Sequence, residues 1–411
     1  MSNFPYIKSL KINNCYTYRD LQINTEAEEG KFKHIILTGK NGSGKTTVLN
    51  SLFAYLDARQ KKMDVDFEIR AFDKDLRAKK IVENRREKIG YFSLLRNVIP
   101  VFGGHKFYEE HSGAYPQYIV SIFRDDRKLS YSPESEENTP VSDSFFNDRI
   151  KNNFDLRSVF FRYLLSRKVQ WAFASLVGKP SESKAKVIDD FFDRLDRIFQ
   201  KIFEDESVKL KYSNDQTYFI LQSKNETQYR SGLIPFEYLP SGYSSILAII
   251  ADLMIRIDLF RREKKDYSLE PEGFILIDEP ETHLHLKLQY QILPFITEFF
   301  PGFQIIAATH SPAVISSLKD SIVYDLSTQK TISDWPVGSS FAELMLRHFG
   351  LENEYGPVAD KIIDDVKDAV AAGDREKLNH IFTENEKYLE GNTLQLQIEN
   401  ELIRMEAKTG K

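Results

Sequence analysis

The 411-residue chain has one cysteine, Cys15, so it can form neither an internal disulfide nor a cysteine-rich metal site. A lone thiol suits a reducing compartment, and Cys15 itself reads as a small strand residue. Long apolar runs are missing too. No stretch reaches the roughly 18 consecutive apolar residues that suggest a membrane helix, and the opening segment MSNFPYIKSLKINN lacks the apolar core of a secretion signal. These absences predict a cytoplasmic protein with no membrane partner. Charge of one sign is also scarce: 56 Lys and Arg oppose 61 Asp and Glu, a net charge of -5. Nothing attracts the chain as a whole to nucleic acid, so such a contact needs a local patch or a partner.

What is present is organised around Gly39-Lys40-Asn41-Gly42-Ser43-Gly44-Lys45-Thr46, which fits G-x-x-x-x-G-K-[ST] and runs on into Thr47. The flanks agree, since KHIILT (33–38) reads as a short buried strand and residues 46–56 as the start of a helix. Backbone N–H groups must wrap a phosphate chain closely, and a Cβ at Gly42 or Gly44 would hinder that approach. Lys45 then reaches the β- and γ-phosphates, and the Thr46 hydroxyl is placed to ligate Mg²⁺. ATP and Mg²⁺ are the expected ligands.

The length allows one large core plus a second lobe. Residues 5–25 alternate apolar and polar side chains in two runs around Asn13-Asn14, predicting a pair of antiparallel strands beside the P-loop strand. A charged, helix-compatible excursion follows over 57–88, with IGYFSLL (89–95) and YIVSIF (118–123) as strand patterns and acidic YSPESEENTPVSDS (131–144) as a loop. Residues 145–177 and 182–203 carry helical periodicity, and 208–212 with 218–221 suggest a hairpin around Ser213-Asn214-Asp215. Strand and helix then alternate to about residue 326, which argues for a largely parallel sheet covered on both faces. After Trp335 the pattern is helical. The predicted organisation is a nucleotide-binding core at 1–56 and 207–330, an insertion with a helical lobe at 57–206, and a helical region at 331–411.

Phe274-Ile275-Leu276-Ile277-Asp278-Glu279 is an apolar run ending in two acids, the pattern of a central strand that presents carboxylates at its ligand-binding end. This is a Walker B pattern, in which Asp278 would hold Mg²⁺ and Glu279 would orient or deprotonate the attacking water. The same two acids could instead cap the next helix. Ala307-Ala308-Thr309-His310-Ser311-Pro312 ends a further strand and brings His310 to the same edge, as a partner of the γ-phosphate or as a bystander.

GKNGSGKT, LPSGYSS (239–245), ILIDEPETHLH and AATHSP, in this order, resemble the ABC-type ATPases of the RecF, SMC and OLD class. Within that class the motifs resemble in particular the small prokaryotic AAA-family ATPases of phage defence, such as the PtuA proteins of Septu and certain retrons. The resemblance implies a P-loop NTPase head that closes on a second copy as a homodimer or higher homo-oligomer. Ser241 and Gly242 would then meet the γ-phosphate in trans, His285 would take the place of the acidic D-loop residue, and His310 would match the switch histidine. Pro240 and Tyr243 depart from the usual signature and point to weak or regulated hydrolysis. Proteins of the OLD class carry a metal-dependent nuclease after the ATPase, whereas residues 338–411 offer only helical pattern. A separately encoded effector, such as a nuclease, is therefore the implied partner. A RecF-like DNA-repair clamp, a transporter subunit and a non-hydrolysing ATP-bound scaffold remain alternatives.

Two basic clusters, Lys79, Lys80, Arg85, Arg86 and Lys88, and Arg261, Arg262, Lys264 and Lys265, are candidate nucleic-acid contacts or solvated faces. His283 and His285 read as a dimer contact rather than as metal ligands. The amphipathic C-terminal segment would either dock a partner or pack on its own head domain.

Overall fold

Two strands open the chain, β1 (Tyr6–Cys15) and β2 (Tyr18–Asn24), and they turn back on each other after Cys15 rather than at Asn13-Asn14. The computed structural model describes residues 6–15, 18–25, 31–78, 84–103, 118–129, 140–151, 156–176, 182–213, 218–225, 232–332 and 357–389, with short pieces at 395–396, 399–400 and 403–404. Most of the expected 131–144 loop, Asn214-Asp215 of the hairpin turn, Lys79, Lys80 and the stretch 335–356 lie outside these. The P-loop strand β3 (His34–Thr38) is buried along its length. It leads into α1 (Lys45–Gln60), α2 (Val65–Arg77), α3 (Arg85–Asn97) and β4 (Val98–Gly103).

Residues 89–95 correct the strand expectation, because they lie inside α3 and the strand begins only at Val98. Phe92 stacks on Phe72 of α2 with ring centroids 4.2 Å apart, and Leu95, three residues on, is buried. That helical spacing outweighs the aromatic and β-branched character of the run.

The chain continues through β5 (Ile119–Phe123), α4 (Asp143–Lys151), α5 (Phe160–Leu176) and α6 (Glu182–Phe203), then β6 (Lys209–Ser213), β7 (Tyr218–Gln222) and β8 (Leu233–Ile234). A long helix α7 (Ser241–Lys264) precedes β9 (Gly273–Asp278), α8 (Leu286–Phe299), β10 (Phe303–Ala308), the short α9 (Pro312–Ile315), β11 (Ser321–Asp325) and β12 (Lys330–Ile332).

The central sheet has the order β12-β11-β3-β10-β9-β5, and every neighbouring pair is parallel except β11 with β12. The fold is thus α/β with a mostly parallel sheet. Its apolar strands Phe274–Ile277 and Ile305–Ala308 are buried on both faces, as helices on each side require. Because β3 is flanked by β11 and β10, it has no free edge, and the expected place of the N-terminal strands beside it is occupied. β1 instead lies between β2 and β4 in a separate antiparallel sheet. The buried Gln304 side chain joins the two layers: it accepts from the Ile7 N–H at 2.8 Å and donates to the carbonyls of Ile7 and Lys33.

The stretch 57–206, read as an insertion, therefore supplies β4 to the flank and β5 to the central sheet. Strand neighbours are decided by pairing across the fold, which the local pattern of 118–123 does not reveal. Beyond β5, α5 and α6 pack together, with Tyr163 against Phe191 and Lys168 over the Phe192 ring at 4.3 Å. On α7, Asp258 takes hydrogen bonds from Tyr163 and from Arg167, both on α5 and both buried. A charge pair removed from water needs such extra hydrogen bonds to be tolerated.

The chain divides into two compact units, Met1–Gly338 and Ser339–Lys411. In the second, α10 (Pro357–Ala372) and α11 (Arg375–Leu389) meet through Ile362, Ala369, Leu378 and Ile381. Gly373 ends α10 at φ 66°, the left-handed turn that glycine adopts without strain. Among the described residues, no helix is long and apolar enough to cross a membrane.

Candidate functional site

β3 delivers the chain into a loop in which Gly42 and Gly44 have φ of 78° and 84°. Both angles lie in the left-handed region that a Cβ penalises, so glycine there is a conformational requirement. α1 starts directly after Gly44 with no side-chain cap and no acidic residue in its first turn. Its leading N–H groups and the positive end of its dipole are left facing the loop.

The loop is braced from two sides. The Tyr18 hydroxyl donates to the Ser43 carbonyl at 2.6 Å, and the Lys40 N–H donates to Ser327 Oγ at 2.6 Å. Asp325 at the end of β11 in turn accepts from the Ser327 N–H. Lys45 is buried, and its Nζ donates to the Gly39 carbonyl at 3.0 Å. Burial pushes the ammonium pKa down, opposed by the carboxylates of Glu279, Asp278, Glu281 and Asp325.

In the sheet, Asp278 pairs with Ala308, and Ala308 pairs with Leu37. Lys45, Asp278, Glu279 and His310 are thereby gathered at one carboxyl edge, where open α/β sheets bind ligands. Asp278 accepts a hydrogen bond from Thr46, and burial lifts its pKa. Its Oδ1 is buried with no partner. An unpaired acceptor beside the Thr46 hydroxyl and an uncapped helix fits a hydrated divalent cation on a phosphate chain.

Glu279 has φ 49°, which is unusual for a non-glycine residue. Its N–H continues the sheet by donating to Ala308 O at 2.8 Å. Burial, followed by the neighbouring Glu281 carboxylate, pushes its pKa up to about 8. His310 Nε2 lies 3.6 Å from Glu279 Oε1. Burial and then the Lys45 charge lower the imidazole pKa, which favours the neutral ring.

Sequence reasoning missed four members of this neighbourhood. Glu281 accepts from the Thr309 hydroxyl and from the His310 and Ser311 N–H groups. Arg127, fully buried after β5, donates to the carbonyls of Asp278, Glu279 and Pro280. Tyr18 and Ser327 brace the P-loop. Only Glu281 carried a local hint, as a third acid within DEPE; the others act across the fold and leave no periodic trace.

Ser241 and Gly242 begin α7, which also lacks a side-chain cap and first-turn acid. Ser241 is exposed, whereas Gly242 is packed on the loop between β9 and α8: a Cβ there would lie 2.8 Å from the His283 carbonyl oxygen. His285 is exposed at the N-cap position of α8. Tyr243 stacks on Phe203 of α6, with ring centroids 5.0 Å apart. In the basic cluster at the end of α7, Arg261 is engaged with Leu269 O and Glu270, and Arg262 with Asp143. Those two charges are spent inside the molecule, which weakens that cluster as a nucleic-acid face.

Among known proteins, the chain is 28% identical over 329 residues to the Septu protein PtuA of Bacillus thuringiensis, covering 76% of this chain and 73% of that protein. It is 24% identical to the Septu protein PtuA of Bacillus mycoides, over 77% of this chain but only 40% of the relative's length. A third relative, "Retron Vc95 probable ATPase" of Vibrio cholerae, is 23% identical over 69% of this chain and 66% of its own. Among solved structures, the Smc head domain of Pyrococcus furiosus aligns over 80% of this chain and 95% of its own, at 14% identity and a TM-score of 0.37. Residues 35–316, from the P-loop strand to the helix after His310, match the family described as "AAA domain, putative AbiEii toxin, Type IV TA system". With that match spanning well over half its length, the chain belongs to this AAA-domain family.

Proposed function

We propose that the chain is an ATPase that binds MgATP at the edge of its parallel sheet and serves in prokaryotic antiphage defence. The observation that carries the nucleotide reading is the buried, unpartnered Oδ1 of Asp278 beside Thr46, at the same sheet edge as the uncapped start of α1. The N–H groups from Gly42 to Thr47 cradle the phosphates, with Gly39, Lys40, Asn41 and Ser43 shaping the loop. Lys45 places its charge on the β- and γ-oxygens. Thr46 and Asp278 hold Mg²⁺, which supplies charge neutralisation on the phosphates. Glu279 orients the lytic water and, as the carboxylate, accepts its proton. His310, as a neutral imidazole 3.6 Å away, contributes a hydrogen bond on the γ-phosphate side.

The nucleotide core in this reading is 1–56 and 207–330 together with β4 and β5, and the helical segments of 57–206 and 331–411 are accessory. A second copy closes on it, bringing Ser241 and Gly242 to the γ-phosphate through the uncapped start of α7, with the exposed His285 at the contact. Pro240, which has no hydroxyl at the N-cap, and the intramolecular stacking of Tyr243 favour slow turnover. Control of a separately encoded effector such as a nuclease follows from the resemblance of the motif set to the Septu and retron ATPases. The test is to measure phosphate release by the purified chain, and to co-purify it with the product of the neighbouring reading frame with and without ATP. An inactive chain that also binds no ATP sinks the enzymatic reading; one that restricts phage without any partner sinks the effector reading.

A further inference from the structure

Arg127 is 0% exposed, and the nearby carboxylates of Glu281, Asp125 and Asp278 favour its charge through space. Its guanidinium gathers main-chain oxygens. Nη1 donates to Asp278 O at 2.9 Å, and Nη2 to Glu279 O and Pro280 O at 2.9 Å each. A further bond from Nη1 to Arg124 O ties the group to its own turn after β5. Burial pushes its pKa down to about 10, so the group remains a cation at neutral pH. Burying a cation is expensive, and a site that needed only filling would be served by an apolar side chain.

The three carbonyls it holds belong to the turn in which Glu279 stands at φ 49°. A non-glycine residue in that region carries a strain of about 1–2 kcal/mol and keeps it only where the surroundings fix it. The planar fork of a guanidinium can bind several oxygens at fixed angles, which an ammonium cannot. Backbone orientation at Glu279 sets where its carboxyl faces.

We propose that Arg127 is a positioning residue for ATP hydrolysis, clamping the main chain of Asp278, Glu279 and Pro280 so that the Glu279 carboxyl faces the γ-phosphate. This rests on the reading of Glu279 as the group that acts on water. It adds that the hydrolytic turn is set from β5, within the stretch the sequence presents as an insertion.

The test compares full-length wild type, Arg127→Lys, Arg127→Met and Glu279→Gln for kcat, KM, equilibrium ATP affinity and melting temperature. Misplacing a catalytic group by an ångström lowers rates by on the order of 100-fold, so kcat should fall by about 10- to 100-fold in Arg127→Lys and further in Arg127→Met. KM and ATP affinity should stay within about twofold, the mark of an interaction used only in the transition state. A folded variant with wild-type kcat overturns the proposal. So does a parallel loss of affinity, or failure of both variants to fold, since each makes Arg127 a general structural residue. If Glu279→Gln hydrolyses as fast as wild type, the underlying reading of Glu279 fails instead, and that failure shows without reference to Arg127.

Discussion

The Thr309 hydroxyl lies 2.7 Å from both carboxylate oxygens of Glu281, tying the end of β10 to the loop after β9. The same carboxylate collects the N–H groups of His310 and Ser311. A glutamine at 281 would keep the shape and lose the charge on these bonds. We expect Glu281→Gln to lower stability by about 1–3 kcal/mol, and its combination with Thr309→Val to show a coupling of about 0.5–3 kcal/mol in urea unfolding. Strictly additive losses would mean the two residues do not act together.

Glu279 and His310 should separate cleanly in kinetics. Removing a general base typically costs about 10²- to 10⁴-fold, so Glu279→Gln should abolish most phosphate release while retaining ATP binding. His310→Ala should reduce turnover less. Phosphate-release assays with equilibrium nucleotide binding read both, and wild-type turnover in Glu279→Gln would contradict the role given to this residue.

Lys45→Ala should weaken ATP binding by at least about 10- to 100-fold, from the loss of charge-assisted hydrogen bonds. Asp278→Asn should raise the Mg²⁺ concentration needed for tight binding and leave the fold unchanged. Titration with a fluorescent ATP analogue, with and without EDTA, distinguishes these; unaltered affinity in Lys45→Ala would leave the P-loop without a function.

His34, on the P-loop strand, accepts the Ile305 N–H on Nδ1 at 2.9 Å. Burial lowers its pKa from 6.5 to about 4. The unfolded chain therefore binds a proton between these values that the folded chain refuses, so stability is present above pH 6.5 and is lost as pH falls towards 4. The full loss is about 3 kcal/mol. Chemical denaturation from pH 7 to 4.5 should show this slope in wild type and a shallower one in His34→Asn; equal slopes would assign the acid sensitivity elsewhere.

Gly273→Ala should open the β5 edge, since a Cβ at 273 would stand 2.0 Å from the Ile119 carbonyl oxygen. Backbone cannot yield that far without breaking the pairing, and overpacking of this kind costs about 1–3 kcal/mol or more. A melting temperature equal to wild type would show that the strands part without penalty.

The P-loop geometry is readable in the chain because its requirements are local: glycine angles, a buried strand before and a helix after. The same holds for β9 and β10, whose apolar runs suit a sheet covered on both faces. IGYFSLL misleads because helix and strand both accept such a short run, and Phe72, which decides between them, lies on another helix. The partners of β1 and β5 are chosen by the fold as a whole. Arg127 and Glu281 escape notice for a related reason, as their bonds reach 151 and 28 residues along the chain.

The bond from Lys40 N to Ser327 Oγ joins residues 287 positions apart. β3 and the two strands that flank it, Phe303–Ala308 and Ser321–Asp325, are likewise far apart along the chain. At about 5–20 residues per second, the ribosome needs on the order of 15–60 s to bridge that interval. During that interval a nascent chain has Tyr18 to hold its glycine loop but neither flanking strand nor the Ser327 brace, so the nucleotide edge is completed only after β11 is made.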